Sequence, residues 1–236
     1  MITRRSSRPD RPPPLPSPVV SQGEAALGLR ERKKQRTRAS LIDAAVGLSL
    51  ERGYNDTTVE QIAAVADVSP RTFSRYFATK DALAQPMIED LLAAASAELA
   101  TIAPSVPALL ALARAHVDML RRVASGVVPG LTPGRVALML NVLNSSDALR
   151  AAALESRPPV IVADVARRLG VPPGDKRVEV TTGTWSALIL AACADLRFAP
   201  DEVHTAADMM ADAIERTVEA FIEISAEVVR SAAPSP

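Results

Sequence analysis

The stretch TVEQIAAVADVSPRTFSRY, residues 58–76, decides how this chain folds. Thr58 followed three positions later by Gln61 is a capping box that opens a short helix, and Ile62, Ala63, Val65 and Ala66 put small apolar groups on its inner side. Asp67 stands where the chain must leave that helix with positive φ, a place usually held by glycine and tolerated by Asp. Ser69 is an N-cap, and Pro70 suits the first helical position, where a missing N–H costs nothing. Phe73 and Phe77, four apart, point inward and leave Arg71, Thr72, Ser74, Arg75 and Tyr76 outside. Two helix starts around one tight turn at this spacing are a helix-turn-helix, and an outer face of guanidinium forks, hydroxyls and a ring suits base edges and phosphates. A helical hairpin with a solvated outer face would share the spacing, so the flanking sequence has to decide.

Upstream, residues 30–38 are a basic run leading into a helix with Leu41, Ala45 and Leu48 on one face, closed by Gly53 at C′. Downstream, Phe77-Ala78-Thr79-Lys80-Asp81 ends one helix and starts another. Through Gly53, Tyr54, Thr57, Thr58, Val59, Ile62, Ala63, Ala66, Val68, Ser69, Thr72, Phe73, Tyr76, Phe77 and Lys80, residues 30–83 resemble the N-terminal DNA-binding domain of the TetR family of transcriptional regulators. The main departure is Asp67 for the family's glycine. The resemblance implies an all-α chain: a three-helix helix-turn-helix domain, then a helical ligand-binding and dimerisation domain. It implies a homodimeric, ligand-responsive repressor on a pseudo-palindromic operator in double-stranded DNA. Arg71, Thr72, Ser74, Arg75 and Tyr76 would face the major groove behind Pro70, and Thr58, Ser69 and Lys80 would hold phosphates.

Composition agrees and removes other classes. The 236 residues are 48% apolar but only 3% aromatic, a core of Ala, Leu, Val and Ile that favours helices. Net charge is zero, yet residues 1–80 hold 14 Lys and Arg against 8 Asp and Glu, and residues 81–236 hold 13 against 19. The basic half is the nucleic-acid half. The single cysteine, Cys193, excludes an internal disulfide or cysteine cluster and reads as a small hydrophobe. The longest apolar run, residues 187–194, is far short of the roughly 20 residues a membrane span needs. No secretory apolar segment follows Arg4-Arg5, so a cytoplasmic protein without a membrane partner is expected. With two histidines 88 positions apart, no phosphate-cradling glycine loop and no nucleophile elbow, no enzyme, cofactor or metal is expected.

In order, residues 1–29 form a Pro/Arg-rich arm with too little apolar surface to fold alone, either a solvated tail or an extra phosphate or minor-groove contact. Residues 30–80 are the reader, 81–231 the ligand-binding and dimerisation domain, and 232–236 a tail. Thr79 caps a helix running to about residue 100, in which Pro86 predicts a kink or a loosened first turn. Helices are expected over residues 108–124, 136–143, 147–154 and 159–169. A pocket among them would be lined by His116, Met119 and Met139, with Arg135 or Arg150 for a polar head; His116 reads also as an ordinary core histidine. Around residues 147–151 the chain resembles those family members that take acyl-CoA-like ligands, which implies a small, mainly hydrophobic effector. Residues 176–198, with Trp185 and Ile189, and residues 201–230, with a heptad seam through Met210, Ile214 and Phe221, form the last two helices. The seam could pack within the chain; the resemblance implies a four-helix bundle with a second subunit, which makes these five residues the dimer interface. The rival function is a helical ligand-binding or scaffolding protein with a vestigial helix-turn-helix.

Overall fold

A computed structural model describes residues 22–145, 147–155 and 157–232; residues 1–21 of the expected arm and 233–236 of the tail lie outside the described residues. Within them the fold is all α-helix: α1 (Gln22–Arg52), α2 (Val59–Val65), α3 (Pro70–Tyr76), α4 (Ala84–Thr101), α5 (Ala108–Ala124), α6 (Pro133–Leu143), α7 (Asp147–Glu155), α8 (Pro159–Leu169), α9 (Lys176–Cys193) and α10 (Ala206–Ala232). The chain divides into residues 1–39 and 40–236. The described part of the first unit is the opening of α1. Its helix starts eight residues before the reader was expected to begin at residue 30, because the prolines stop at Pro18 and Glu24, Ala25, Ala26 and Leu27 are good helix formers. In the second unit α1 ends at Gly53, whose φ of 86° and N–H to the Ser49 carbonyl at 3.0 Å close the helix as expected.

The turn between α2 and α3 follows from its residues. Gln61 N–H donates to Thr58 Oγ1 at 3.3 Å, and Thr58 N–H to Gln61 Oε1 at 3.0 Å, which completes the capping box. Asp67 has φ 55°; its N–H reaches the Ala64 carbonyl, and Val68 N–H the Ala63 carbonyl, a complete Schellman closure with Asp in glycine's place. Thr72 N–H then donates to Ser69 Oγ at 3.1 Å, and Pro70 opens α3. Phe73 and Phe77 are buried with ring centroids 5.6 Å apart. Val65 departs from expectation: it is 62% exposed, because Ile62, Ala63 and Ala66 occupy the inner side and Val65 falls off it at the helix end.

Between α3 and α4 the expected single helix is interrupted by a 3-10 turn, Asp81–Leu83, held by Ala82 N–H on Thr79 Oγ1. Pro86 is therefore the third residue of α4, where its missing N–H would have had no helical acceptor, and the irregularity lies before it. Beyond, α5 is buried along most of its length between α4 and α10. Arg121 of α5 pairs with Asp208, Asp212 and Glu215, three carboxylates along one side of α10. Arg168 of α8 donates to the carbonyls of Leu99, Ile102, Ala103 and Val106, satisfying the orphan acceptors where α4 ends. At the start of α6, a Cβ on Gly134 would lie 3.1 Å from the Val46 side chain of α1, so these helices approach closely there and a larger residue would make Val46 shift. The helix α9 ends at Cys193, five residues early, where Asn144 donates to the carbonyls of Cys193 and Leu196. No helix among the described residues is long and apolar enough to cross a membrane.

Candidate functional site

The outer face of α3 carries Arg71, Ser74 and Arg75 exposed, with Thr72 and Tyr76 half-buried beside them. Some of its polar groups already have work inside the fold. Ser74 donates its hydroxyl to the Pro70 carbonyl, Ser69 and Thr72 share a hydrogen bond at 3.0 Å, and the Arg75 guanidinium lies 5.3 Å from the Tyr76 ring centroid. The Thr58 oxygen accepts at the head of α2, which leaves its O–H free to donate outward.

Lys80 differs from its expected part as a phosphate contact. Its Nζ donates to the carbonyls of Tyr54 at 2.8 Å and Thr57 at 2.9 Å and stands 4.1 Å from the Tyr54 ring centroid. Two of its three N–H donors thus serve the fold, and burial lowers the ammonium pKa against the opposing charges of Asp81 and Asp56. The Tyr54 hydroxyl in turn donates to Asp81. Burial, then the Asp81 hydrogen bond and charge, drive that phenol far above its usual range. Tyr54, Lys80 and Asp81 together tie the α1–α2 corner to the turn that opens α4. Tyr54 and Lys80 stood out in the sequence only as parts of a pattern; Asp81 carried no such sign.

A cavity of about 1060 Å³ lies among α4, α5, α6, α7, α8 and α9, with Met210 of α10 on its wall. Ile88, Leu91, Leu92, Leu140, Leu149 and Ile161 make it mainly apolar; its wall also carries one arginine, Arg157, and two carboxylates, Asp81 and Glu89. Of the expected ligand residues, His116 and Met139 line it. Met119 does not: it is fully buried in the core off another side of α5. Arg135 pairs instead with Asp43 of α1 at 2.6 Å, because the first turn of α6 lies against α1 rather than the cavity. Arg150 pairs with Asp147 within α7.

The expected dimer residues are largely internal. Trp185 and Met210, 4% and 3% exposed, line the cavity with half-buried Ile189, and Ile214, 1% exposed, is core. The seam's first half closes on α5, since Ala207, Met210, Ala211 and Ile214 form the stripe that α5 covers. Phe221 is half-buried, while Val180, Ile222, Ile224, Val228 and Val229 leave an apolar surface on α9 and α10.

His116 sits deepest among the cavity's polar groups. Its Nδ1 is 2.8 Å from the Leu112 carbonyl, which makes Nδ1 the protonated nitrogen, and its ring lies 4.7 Å from that of Trp185. Burial, opposed by the Leu112 carbonyl, brings its pKa down to about 4, so the ring is neutral at pH 7. Burial pushes the Cys193 thiol up to about 12, consistent with an inert wall residue. Among the described residues no group of three His, Cys, Asp or Glu side chains could hold a metal ion.

Comparison with known proteins bears on this arrangement. Residues 41–87 match the model of the bacterial regulatory proteins of the tetR family. Over 124 residues the chain is 38% identical to the HTH-type transcriptional regulator TcmR of Streptomyces glaucescens; the match covers 52% of this chain and 55% of that protein. It thus spans about half the length of this curated relative. The chain is also similar to the crystal structure of Thermus thermophilus FadR, a TetR family transcriptional repressor in complex with lauroyl-CoA, at 22% identity and a TM-score of 0.49, over 79% of this chain and 93% of that one.

Proposed function

We propose, for a chain that carries the DNA-binding domain of the TetR family at residues 41–87, that the protein is a ligand-responsive transcriptional repressor: a homodimer on a pseudo-palindromic operator, released by a small, mainly hydrophobic effector. The supporting observation is that the turn behind the reader also borders the cavity. Thr79, Asp81, Ala82, Ala84 and Gln85 line it, and Asp81 is the acceptor for Tyr54. A molecule filling the cavity meets the same carboxylate that ties α4 to the α1–α2 corner, and binding that differs between two positions of that turn couples the sites.

In this reading Arg71, Thr72, Ser74, Arg75 and Tyr76, with Pro70 at the helix start, meet the groove; Thr58 and Ser69 meet phosphates; and Lys80 acts chiefly by holding the corner. The protein works by binding, without catalysis, in the cytoplasm. One short reading helix makes too few base contacts for useful specificity, so a second copy is needed, and the apolar surface of α9 and α10 is the surface that joins it. An acyl-CoA's chain suits the apolar wall, but its phosphates need cations and the wall offers one arginine against two carboxylates, which favours a smaller ligand. The test is a titration of operator complexes with planar aromatic compounds, long-chain alcohols and acyl-CoAs. Release of DNA by one of the first two classes is the expected result; release by none of the three would remove the effector from the proposal.

A further inference from the structure

We propose that the deep end of the cavity is a hydrogen-bond-accepting subsite, so that the effector presents to His116 an uncharged group bearing an O–H or N–H donor. The inference rests on the effector-binding reading above and adds the chemistry of the ligand's polar end.

His116 is 1% exposed and lines the cavity, and with Nδ1 committed to the Leu112 carbonyl its remaining ring nitrogen, Nε2, is an acceptor with no hydrogen-bond partner among the described residues. Two further polar groups on the wall behave alike. Thr182 donates its hydroxyl to the Val178 carbonyl at 2.9 Å, and Ser186 donates to the Thr182 carbonyl at 3.0 Å. Both hydroxyl protons are thereby used inside α9, and what remains toward a ligand is lone pairs. A buried acceptor left unmatched weakens binding, so a site of this kind rejects a ligand that cannot donate more strongly than it rewards one that can.

A carboxylate at this position would meet acceptors only. Burial also resists the protonation of His116 that would convert it to a donor. The cavity's cation, Arg157, is an exposed residue that already donates to the Leu154 carbonyl at 2.7 Å, so the charge it offers lies at the wall's outer side. Trp185, the chain's one tryptophan, lies against His116 and gives a direct optical report of occupancy.

The experiment uses the full chain and three probes of matched length: 1-decanol, which donates and accepts; decyl methyl ether, which only accepts; and decanoate, which is anionic. Binding is read from Trp185 fluorescence and by calorimetry. Decanol is expected to bind about 3- to 10-fold tighter than the ether, the range for the net contribution of one hydrogen bond. In His116→Phe the two are expected to bind within about twofold of each other, the ether no more weakly than before; in His116→Gln, whose amide oxygen can accept, the preference for decanol is expected to persist. Equal binding of decanol and ether by the unaltered protein, or tighter binding of decanoate, would overturn the accepting subsite while leaving the effector cavity standing. Binding of none of the three would overturn both. Because the ranking by the unaltered protein decides on its own, a variant that fails to fold does not shield the proposal.

Discussion

At the scale of the residue, His116 carries a consequence for stability. Its folded pKa of about 4 lies below the ordinary value of about 6.5, so as pH falls the unfolded chain takes up this proton first. Between pH 6.5 and 4 the unfolded state holds more protons, and stability is lost on acidification through that window; above it the contribution is complete. Urea unfolding at a series of pH values is expected to show on the order of 3 kcal/mol more acid destabilisation in the unaltered protein than in His116→Gln. Lys80 and Arg71 make a second contrast. Lys80→Met keeps the alkyl stem over Tyr54 but removes two charge-assisted hydrogen bonds at a half-buried site, at about 1–3 kcal/mol of folding stability, and lowers affinity for all DNA alike. Arg71→Ala is expected to leave thermal stability unchanged, since that side chain is exposed. Asp67 shows what was legible at this scale: its place at the exit of the first helix, usually glycine's, predicted the positive φ, whereas the partners of Lys80 depended on a corner formed 26 residues away.

At the scale of the element, the irregularity between α3 and α4 is the turn at Asp81–Leu83, not a kink at Pro86. The sequence placed a weak point near residue 86 because proline cannot donate, but an N–H in the first helical turn has no acceptor to lose, and the 3-10 turn takes up the irregularity. Tyr54→Phe is therefore the variant that tests coupling. It removes the donor to Asp81 while keeping the ring under Lys80. Operator affinity without effector is expected to stay within about threefold, while the effector's weakening of DNA binding, typically about 5- to 150-fold for such couplings, falls several-fold. An unaltered response would place the coupling elsewhere, with the contact of Gly134 and Arg135 on α1 the next path to test. Helices such as Ala108–Ala124 and Pro159–Leu169 were readable to the residue, because their amphipathic pattern and flanking prolines agree. The heptad seam of α10 is buried in its first half, at Met210 and Ile214, where α5 covers it, and only half-buried at Phe221: a heptad marks a stripe suited to a neighbour without saying which neighbour it is.

At the scale of the whole molecule, the cavity was legible only at His116 and Met139, since the rest of its wall gathers side chains from seven helices whose rotations about their axes no local pattern states. An apolar surface is present on the last two helices, on α9 and toward the C-terminal half of α10, and the proposed second copy would join there. Ile224→Glu, at a position 62% exposed in the single chain, is expected to give a folded monomer by sedimentation. Ile214→Glu buries an unpaired charge in the core and is expected to cost several kcal/mol and unfold the chain. Folded dimers of Ile224→Glu would displace the interface from this surface. The central claim, that two copies of α3 read a symmetric operator, is tested most directly by selecting duplexes from a random pool with the unaltered protein and with Arg71→Ala. The account predicts an inverted repeat for the unaltered protein and, for Arg71→Ala, loss of preference at one base pair in each half-site with about 1–3 kcal/mol less affinity. Failure to enrich any sequence at low salt, or an unchanged preference in Arg71→Ala, would contradict it.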